Sequence, residues 1–181
     1  MCTKKTILII SAVIVTGVAG VLGYAATKPD DFAVSRSITV NASPKKVFAQ
    51  VNALKKWEAW SPWAKLDPEA VVTFEGPDRG KGATMAWDGN FEVGKGSMKI
   101  VESRPNEYVK YELDFIKPFK GTNTSDFTLK REGNTTVITW GMQGKNDYLA
   151  KVMSVVMNCE GMIGEKYEEG LNNLKTLVEG S

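Results

Sequence analysis

LAKVMSVVMNCEGMIGEKYEEGLNNLKTLV, residues 149–178, is the one stretch beyond the N-terminal run that is long enough to span a domain as a helix. Apolar side chains recur at Leu149, Val152, Met153, Val156, Met157, Ile163, Tyr167, Leu171, Leu174 and Val178, drawing one stripe along a helix of period 3.6. Lys166, Glu168, Glu169, Asn172, Asn173, Lys175 and Glu179 fill the opposite side of the second half, which is therefore half-buried and not membrane-spanning. Fully helical, the stretch would be about 45 Å long. Gly161, Gly164 and Gly170 interrupt it, each costing about 1 kcal/mol relative to Ala, and predict a break or kink near residues 159–164. Met153, Met157 and Met162 place flexible thioethers in the first half, which suit ordinary core filling and also a surface that adapts to apolar ligands.

That stripe needs an apolar surface to cover it, and the middle of the chain supplies one. Residues alternate apolar and polar over 34–40, where Val34, Ile38 and Val40 share a face, and again in six runs at 71–75, 83–88, 96–102, 108–116, 124–131 and 135–142. In the cleanest run Val109, Tyr111, Leu113 and Phe115 alternate with Lys110, Glu112 and Asp114, giving one dry and one wet face. Between the first strand and the other six, Ser43 and Pro44 read as a helix start, with Val47, Phe48, Val51 and Leu54 on its apolar side. A tryptophan-rich turn follows at Trp57, Trp60 and Trp63. Six consecutive strands on short connections pair antiparallel, which excludes a doubly wound parallel sheet. The expected fold is α+β: a curved seven-stranded antiparallel sheet around a long C-terminal helix, with two short helices after strand one.

Residues 7–26, ILIISAVIVTGVAGVLGYAA, carry no charge, and about 20 apolar residues match the hydrocarbon thickness of a bilayer. The run is read as a transmembrane anchor, with residues 1–6 cytoplasmic, 27–31 a linker and 32–181 an exported domain. A cleaved signal peptide is the alternative, in which case the domain is secreted. Lys4 and Lys5 before the run, against Lys28 alone just after it, favour the N-terminus inside and the domain on the periplasmic or extracellular side. The chain has 23 Lys and Arg, of which Lys4 and Lys5 precede the span, and 21 Asp and Glu; the exported part is formally neutral and argues against a nucleic-acid partner. With no histidine, histidine-based acid–base catalysis and most zinc sites are excluded, and neither a metal nor a cofactor is expected. Cys2 and Cys159 would lie on opposite sides of the membrane, so no intramolecular disulfide is expected.

The element order resembles the helix-grip fold of the START and birch-pollen-allergen (SRPBCC) superfamily. ITVNASPKKVFAQVNALKKWEAWSPW (38–63), FEGPDRGKGATMAWDGN (74–90), VGKGSMKIVESRP (93–105) and GLNNLKTLVE (170–179) sharpen it to the polyketide cyclase/dehydrase and lipid-transport family, over residues 34–179. The resemblance implies an apolar cavity between sheet and helix. Trp57, Trp60, Met85, Trp87, Met98, Tyr111, Phe115, Phe127, Trp140, Met153 and Met157 are the candidates to line it, for a lipid or another small hydrophobic ligand. Such a domain needs no catalysis, because function in this superfamily sits in sites grafted on a common fold.

Catalytic signals are sparse. Gly76-Pro77-Asp78-Arg79-Gly80-Lys81-Gly82 lacks the spacing of a phosphate loop and reads as a hairpin turn. Asp88 and Glu75 flank it and are the candidate acids, since a buried carboxyl is shifted toward the pKa range useful for proton transfer. Tyr111 and Arg104 are candidates to orient a carbonyl or head group. A cyclase- or dehydrase-like enzyme, and a solid-cored interaction domain without a cavity, are therefore carried as alternatives to the binding domain.

Overall fold

The computed structural model of the protein describes residues 2–180, with residues 2–8 as backbone alone. The side chains of Cys2, Lys4 and Lys5, on which the orientation and disulfide arguments rest, lie outside the described residues. Helix α1 (Cys2–Ala26) leads through four residues into β1 (Asp31–Val40). Then follow α2 (Pro44–Val51), two 3-10 turns at Leu54–Ala59 and Pro62–Lys65, and the strands β2 (Val71–Glu75), β3 (Thr84–Asp88), β4 (Lys95–Arg104), β5 (Tyr108–Lys117), β6 (Gly121–Glu132) and β7 (Thr135–Lys145). Helices α3 (Tyr148–Met157) and α4 (Cys159–Glu179) end the chain.

All seven strands form one antiparallel sheet, ordered β1-β7-β6-β5-β4-β3-β2. Six of them are joined as a meander by turns, and β1 returns to pair with β7. Directly paired residues share a face, so the register assigns the core side of every strand. It carries Val34 and Ile38 of β1, Ile138, Trp140 and Met142 of β7, and Phe127 and Leu129 of β6. Tyr111, Leu113 and Phe115 of β5, Met98 of β4, and Met85 and Trp87 of β3 continue the same face. A register shift between Ile100 and Glu102 interrupts β4, the kind of irregularity that increases local bend and twist.

Ser43 precedes α2 with an extended backbone, but its side chain makes no capping hydrogen bond. Its carbonyl instead receives the amides of Lys46 and Val47, and Pro44 supplies the preset first turn. At the other end of α2 the Val51 carbonyl accepts both the Tyr111 hydroxyl (2.7 Å) and the Trp57 indole N–H (3.3 Å). One helix-terminal acceptor thus ties α2 to the sheet and to the tryptophan turn.

The C-terminal stretch is broken, and the break is not at a glycine. Asn158 adopts φ 45° between α3 and α4, and its side chain then accepts the Gly161 amide at the start of α4. Asparagine tolerates the left-handed region and also caps well, so one residue ends one helix and starts the next. Gly164 and Gly170 lie inside an unbroken α4, where each permits close approach. A Cβ on Gly164 would come within 2.1 Å of the Arg36 guanidinium, and one on Gly170 within 2.8 Å of the Trp140 ring. Helix α4 packs on β1, buries Tyr167, Leu171, Leu174 and Val178, and is pinned by Arg36 to Glu168 (2.5 Å), Asn173 to the Trp60 carbonyl (3.1 Å) and Lys175 to the Thr39 carbonyl (3.0 Å).

Helix α3 departs from the expected arrangement. None of its residues is buried, and it packs against α1 and the start of α4 instead of covering the sheet. The Tyr148 hydroxyl donates to the Leu22 carbonyl of α1 (2.9 Å), and Lys151 forms an ion pair with Asp30 in the α1–β1 connection. The Asn146 amide bonds the Asp30 carbonyl (2.6 Å), extending the β1–β7 ladder by one residue into the α1–β1 connection.

Gly170→Ala separates propensity from packing. Alanine should gain about 1 kcal/mol of helix propensity, yet the methyl must displace Trp140, and overpacking costs about 1–3 kcal/mol. The expected outcome is a lower urea midpoint with an unchanged slope, whereas the same change at exposed Gly121 of β6, with nothing within 4 Å, should leave the midpoint nearly unmoved.

Candidate functional site

The core side of the sheet divides into a filled half and an open half. Trp140 is the centre of the filled half. Tyr167 of α4 stacks on it with ring centroids 3.9 Å apart and planes 9° from parallel; Phe127 stacks on it at 4.8 Å; Trp57, Trp60 and Trp63 meet it edge-on at 5.5–5.9 Å. The three edge-on contacts place positive ring edges against negative ring faces. The Trp140 indole N–H donates to the Ser125 hydroxyl (3.0 Å), which donates to the Gly141 carbonyl (2.8 Å), so the polar atoms under this stack are served. The Trp60 indole nitrogen is buried without a hydrogen-bond partner.

The open half lies over β2 to β5, on the side of the sheet away from β1 and α4. Register places Val72 and Phe74 of β2 beside Trp87 and Met85 of β3, which continue through Gly96 and Met98 of β4 to Phe115 and Leu113 of β5. Val72 and Phe74 are exposed, Met85, Trp87 and Leu113 are half-buried against the core, and Phe115 is half-buried beside Trp87. The Trp87 ring is fixed, since its N–H donates to the Val93 carbonyl (3.2 Å) and its edge meets Phe115 at 6.0 Å. It occupies the space a side chain at Gly96 would need, for a Cβ there would sit 2.6 Å from the ring. The result is an apolar shelf with one rigid aromatic wall, contiguous with the core.

The residues picked from sequence sort onto these two halves. Trp57, Trp60, Tyr111, Phe127 and Trp140 belong to the filled half and spend their surface on one another. Met85, Trp87 and Phe115 line the shelf, and buried Met98 forms its floor. Met153 and Met157 do not face the space between sheet and helix: both lie on α3, beside α1. The apolar stripe does not say what meets it, and here α1 packs beside α3 while Leu149, Val156 and Met157 stay exposed.

The candidate acids are not placed for proton transfer. Asp88 is on the opposite face of β3 from the shelf, paired with Lys95 at 2.6 Å, and this hydrogen bond holds its carboxyl below the usual range. Glu75 is exposed at the end of β2. The Tyr111 hydroxyl is fully buried and committed to the Val51 carbonyl, and burial pushes its pKa well up. Arg104 pairs with Glu102 (3.5 Å) and stacks over Tyr108 (4.6 Å). It borders an open groove of about 740 Å³ at the far end of the sheet from α1, with Lys45, Glu107, Lys130 and Arg131. A separate crevice of about 50 Å³ beside Phe74 and the Gly76–Ala83 loop has room for water only. Among the described residues no group of three His, Cys, Asp or Glu side chains is arranged to hold a metal.

One shifted acid escaped the sequence reading. Asp126 of β6 is raised above the ordinary carboxylate value, chiefly by desolvation, with Lys110 and a hydrogen bond to Thr128 opposing. It pairs with Gly141, on the face away from the shelf. Alternation placed it on the wet side, and only the packing around Gly141 reveals that it is half-buried.

The family model for polyketide cyclase/dehydrase and lipid transport matches residues 31–179. The chain belongs to that family. The match begins at β1 and ends with α4, leaving α1 outside it. A search of curated protein sequences found no match. Among solved structures, the chain is similar to protein CV1439 from Chromobacterium violaceum, with 18% identity over 84% of this chain and 99% of that one, and a TM-score of 0.58. It is similar to Ara h 8.0201 at 10% identity, over 83% and 99% of the two chains, with a TM-score of 0.57. CalU16 from Micromonospora echinospora shares 14% identity over 82% and 84%, with a TM-score of 0.54. At such identities these likenesses establish the helix-grip fold alone.

Because Asp126 has a folded pKa above its unfolded value, its ionisation opposes folding, and that penalty is present at neutral pH and vanishes as pH falls below the unfolded value. Asp126→Asn should therefore raise the urea midpoint at pH 7, with the gain shrinking toward zero on acidification into the carboxylate range.

Proposed function

We propose that the protein is a membrane-tethered domain that holds a lipid or another small hydrophobic molecule on the β2–β5 shelf. The observation that carries this reading is the shelf itself: six apolar side chains, Val72, Phe74, Met85, Trp87, Leu113 and Phe115, left half-buried or exposed on the core side of a sheet whose other half is filled. Membership of a family described by lipid transport agrees with it. The tether is α1, whose residues Ile9–Ala26 are long and apolar enough to cross a membrane. Its Thr16 hydroxyl is satisfied within the helix by the Ala12 carbonyl (2.9 Å), as the hydrocarbon core demands. In this reading Lys4 and Lys5 keep the N-terminus inside, and the domain stands on the periplasmic or extracellular side.

Binding to such a shelf is a matter of apolar area. Trp87 and Phe115 present a flat wall for a chain or ring, while Met85 and Met98 adapt to its shape. Asp88, Glu75 and Tyr111 do not face the shelf as a desolvated acid or free hydroxyl, and the reading proposed is retention of a ligand.

Native mass spectrometry of the full chain, released from phosphatidylcholine nanodiscs after incubation with a fatty-acid series, tests the reading. Each buried methylene contributes about 0.8 kcal/mol, so lengthening the chain by two carbons should tighten binding by roughly tenfold until the shelf is full. Phe74→Asp, at an already exposed position, should lower retention several-fold without shifting the urea midpoint. Retention that ignores both chain length and Phe74→Asp would place any ligand elsewhere.

A further inference from the structure

We propose that the end of the sheet nearest α1 docks flat on the bilayer surface, with the hairpin tips at Phe91 and Phe119 inserted among the lipids. This rests on the reading of α1 as a membrane span.

The topology gathers one set of loops at this end. The start of β1, the ends of β7, β5 and β3 and the starts of β6, β4 and β2 all lie there, because the pairing sets Asp31 against Lys145, Phe115 against Gly121, Lys95 against Lys117 and Val71 against Asp88. Only residues 27–30 separate α1 from β1, a reach of about 15 Å even if fully extended. The reach is shorter in fact, because the amides of Thr27 and Lys28 bond back to Tyr24 and Ala25, and Asp30 already joins the β1–β7 ladder. A spanning α1 therefore holds this end of the sheet at the membrane surface.

What the end presents is apolar. Phe91, at the β3–β4 tip, is 83% exposed and Phe119, at the β5–β6 tip, is 54% exposed, the former being the most exposed large apolar side chain described. Ile116, beside Phe119, is exposed as well. Helix α3 adds Tyr148, Leu149, Val156 and Met157, all exposed, and packs along α1. Its single charge, Lys151, is paired with Asp30 and its side chain is only 11% exposed, so the helix offers lipid an almost uncharged surface. At the opposite end the turns between β4 and β5 and between β6 and β7 carry Pro105, Asn106, Gly133 and Asn134 and no large apolar residue.

The occupant is a bilayer and not a second protein, because the patch continues from a helix of membrane-spanning length and is split among separate tips at one end of the sheet. Charge is not the driving force. Lys28, Lys95, Lys117, Lys120, Lys145 and Lys151 at this end face Asp30, Asp31, Asp67, Asp88, Glu92 and Asp147, in balance, so docking should proceed on a zwitterionic surface. Val72, Trp87 and Phe115 of the shelf are at this same end. Docking therefore opens the shelf toward lipid and gives a membrane-dissolved ligand a path that avoids water.

Spin labels on the full chain test the docking. Phe91→Cys, Phe119→Cys and Asn134→Cys, each in a Cys2→Ser, Cys159→Ser background, are labelled, reconstituted in phosphatidylcholine vesicles, and read by their collision rates with oxygen and with a water-soluble nickel chelate. The labels at 91 and 119 should show an oxygen-to-nickel ratio several-fold higher than the label at 134, roughly 35 Å away along the strands. Equal ratios at all three sites in a chain that resists carbonate extraction would overturn the docking and leave the tether standing. A chain that carbonate extracts would remove the tether, and the docking with it.

Discussion

Tyr167 lies flat on Trp140, and the rest of the domain is arranged by what that contact requires. The two rings can approach to 3.9 Å only because α4 comes down on the sheet at Gly170 and Gly164, positions where a methyl group would strike Trp140 or Arg36. Once α4 is seated there, over β1 and against the tryptophan turn, it cannot also cover β2 to β5. The filled and open halves of the sheet are thus two consequences of one stacking interaction. Truncating Trp140 would lose the contact that sets the helix, at a cost of about 3–5 kcal/mol.

This division revises the container that the family resemblance implies. A helix gripped by a curved sheet encloses space when small side chains face each other, and here Trp57, Trp60, Phe127, Trp140 and Tyr167 occupy that space themselves. The apolar surface left open is displaced sideways onto the shelf, and its Val72, Trp87 and Phe115 lie at the end of the sheet nearest α1. In the proposed reading, binding surface, tether and exposed hairpin tips converge on one end. The charged groove near Arg104 and Lys130 occupies the other.

Much of the fold was legible because it follows from period. Alternation located all seven strands, and the paired register agrees with the dry faces read for Val34, Tyr111, Phe127 and Trp140. Spacing of three and four found α4 and its buried stripe. What period cannot say is which surface covers a stripe. Met153 and Met157 continue the pattern of α4, yet the left-handed turn at Asn158 swings α3 onto α1. Glycine was the wrong signal for the break: Gly164 and Gly170 serve packing, and the turn uses an asparagine that also caps. Volume is equally invisible in alternation, so cavity wall and solid core looked alike for Trp60 and Met85. Asp126 was missed for a related reason, since desolvation comes from neighbours that a strand pattern does not place.

The central claim is that apolar ligands meet the shelf and leave the aromatic stack untouched, and the five tryptophans report on both halves. Fluorine NMR of the full chain labelled with 5-fluorotryptophan and titrated with a fatty acid reads them separately, once single Trp→Phe changes have assigned the resonances. The Trp87 resonance should move with ligand while those of Trp57, Trp60 and Trp140 stay in place. Movement of Trp140 and Trp60 with Trp87 unmoved would contradict the account and put the ligand between the sheet and α4.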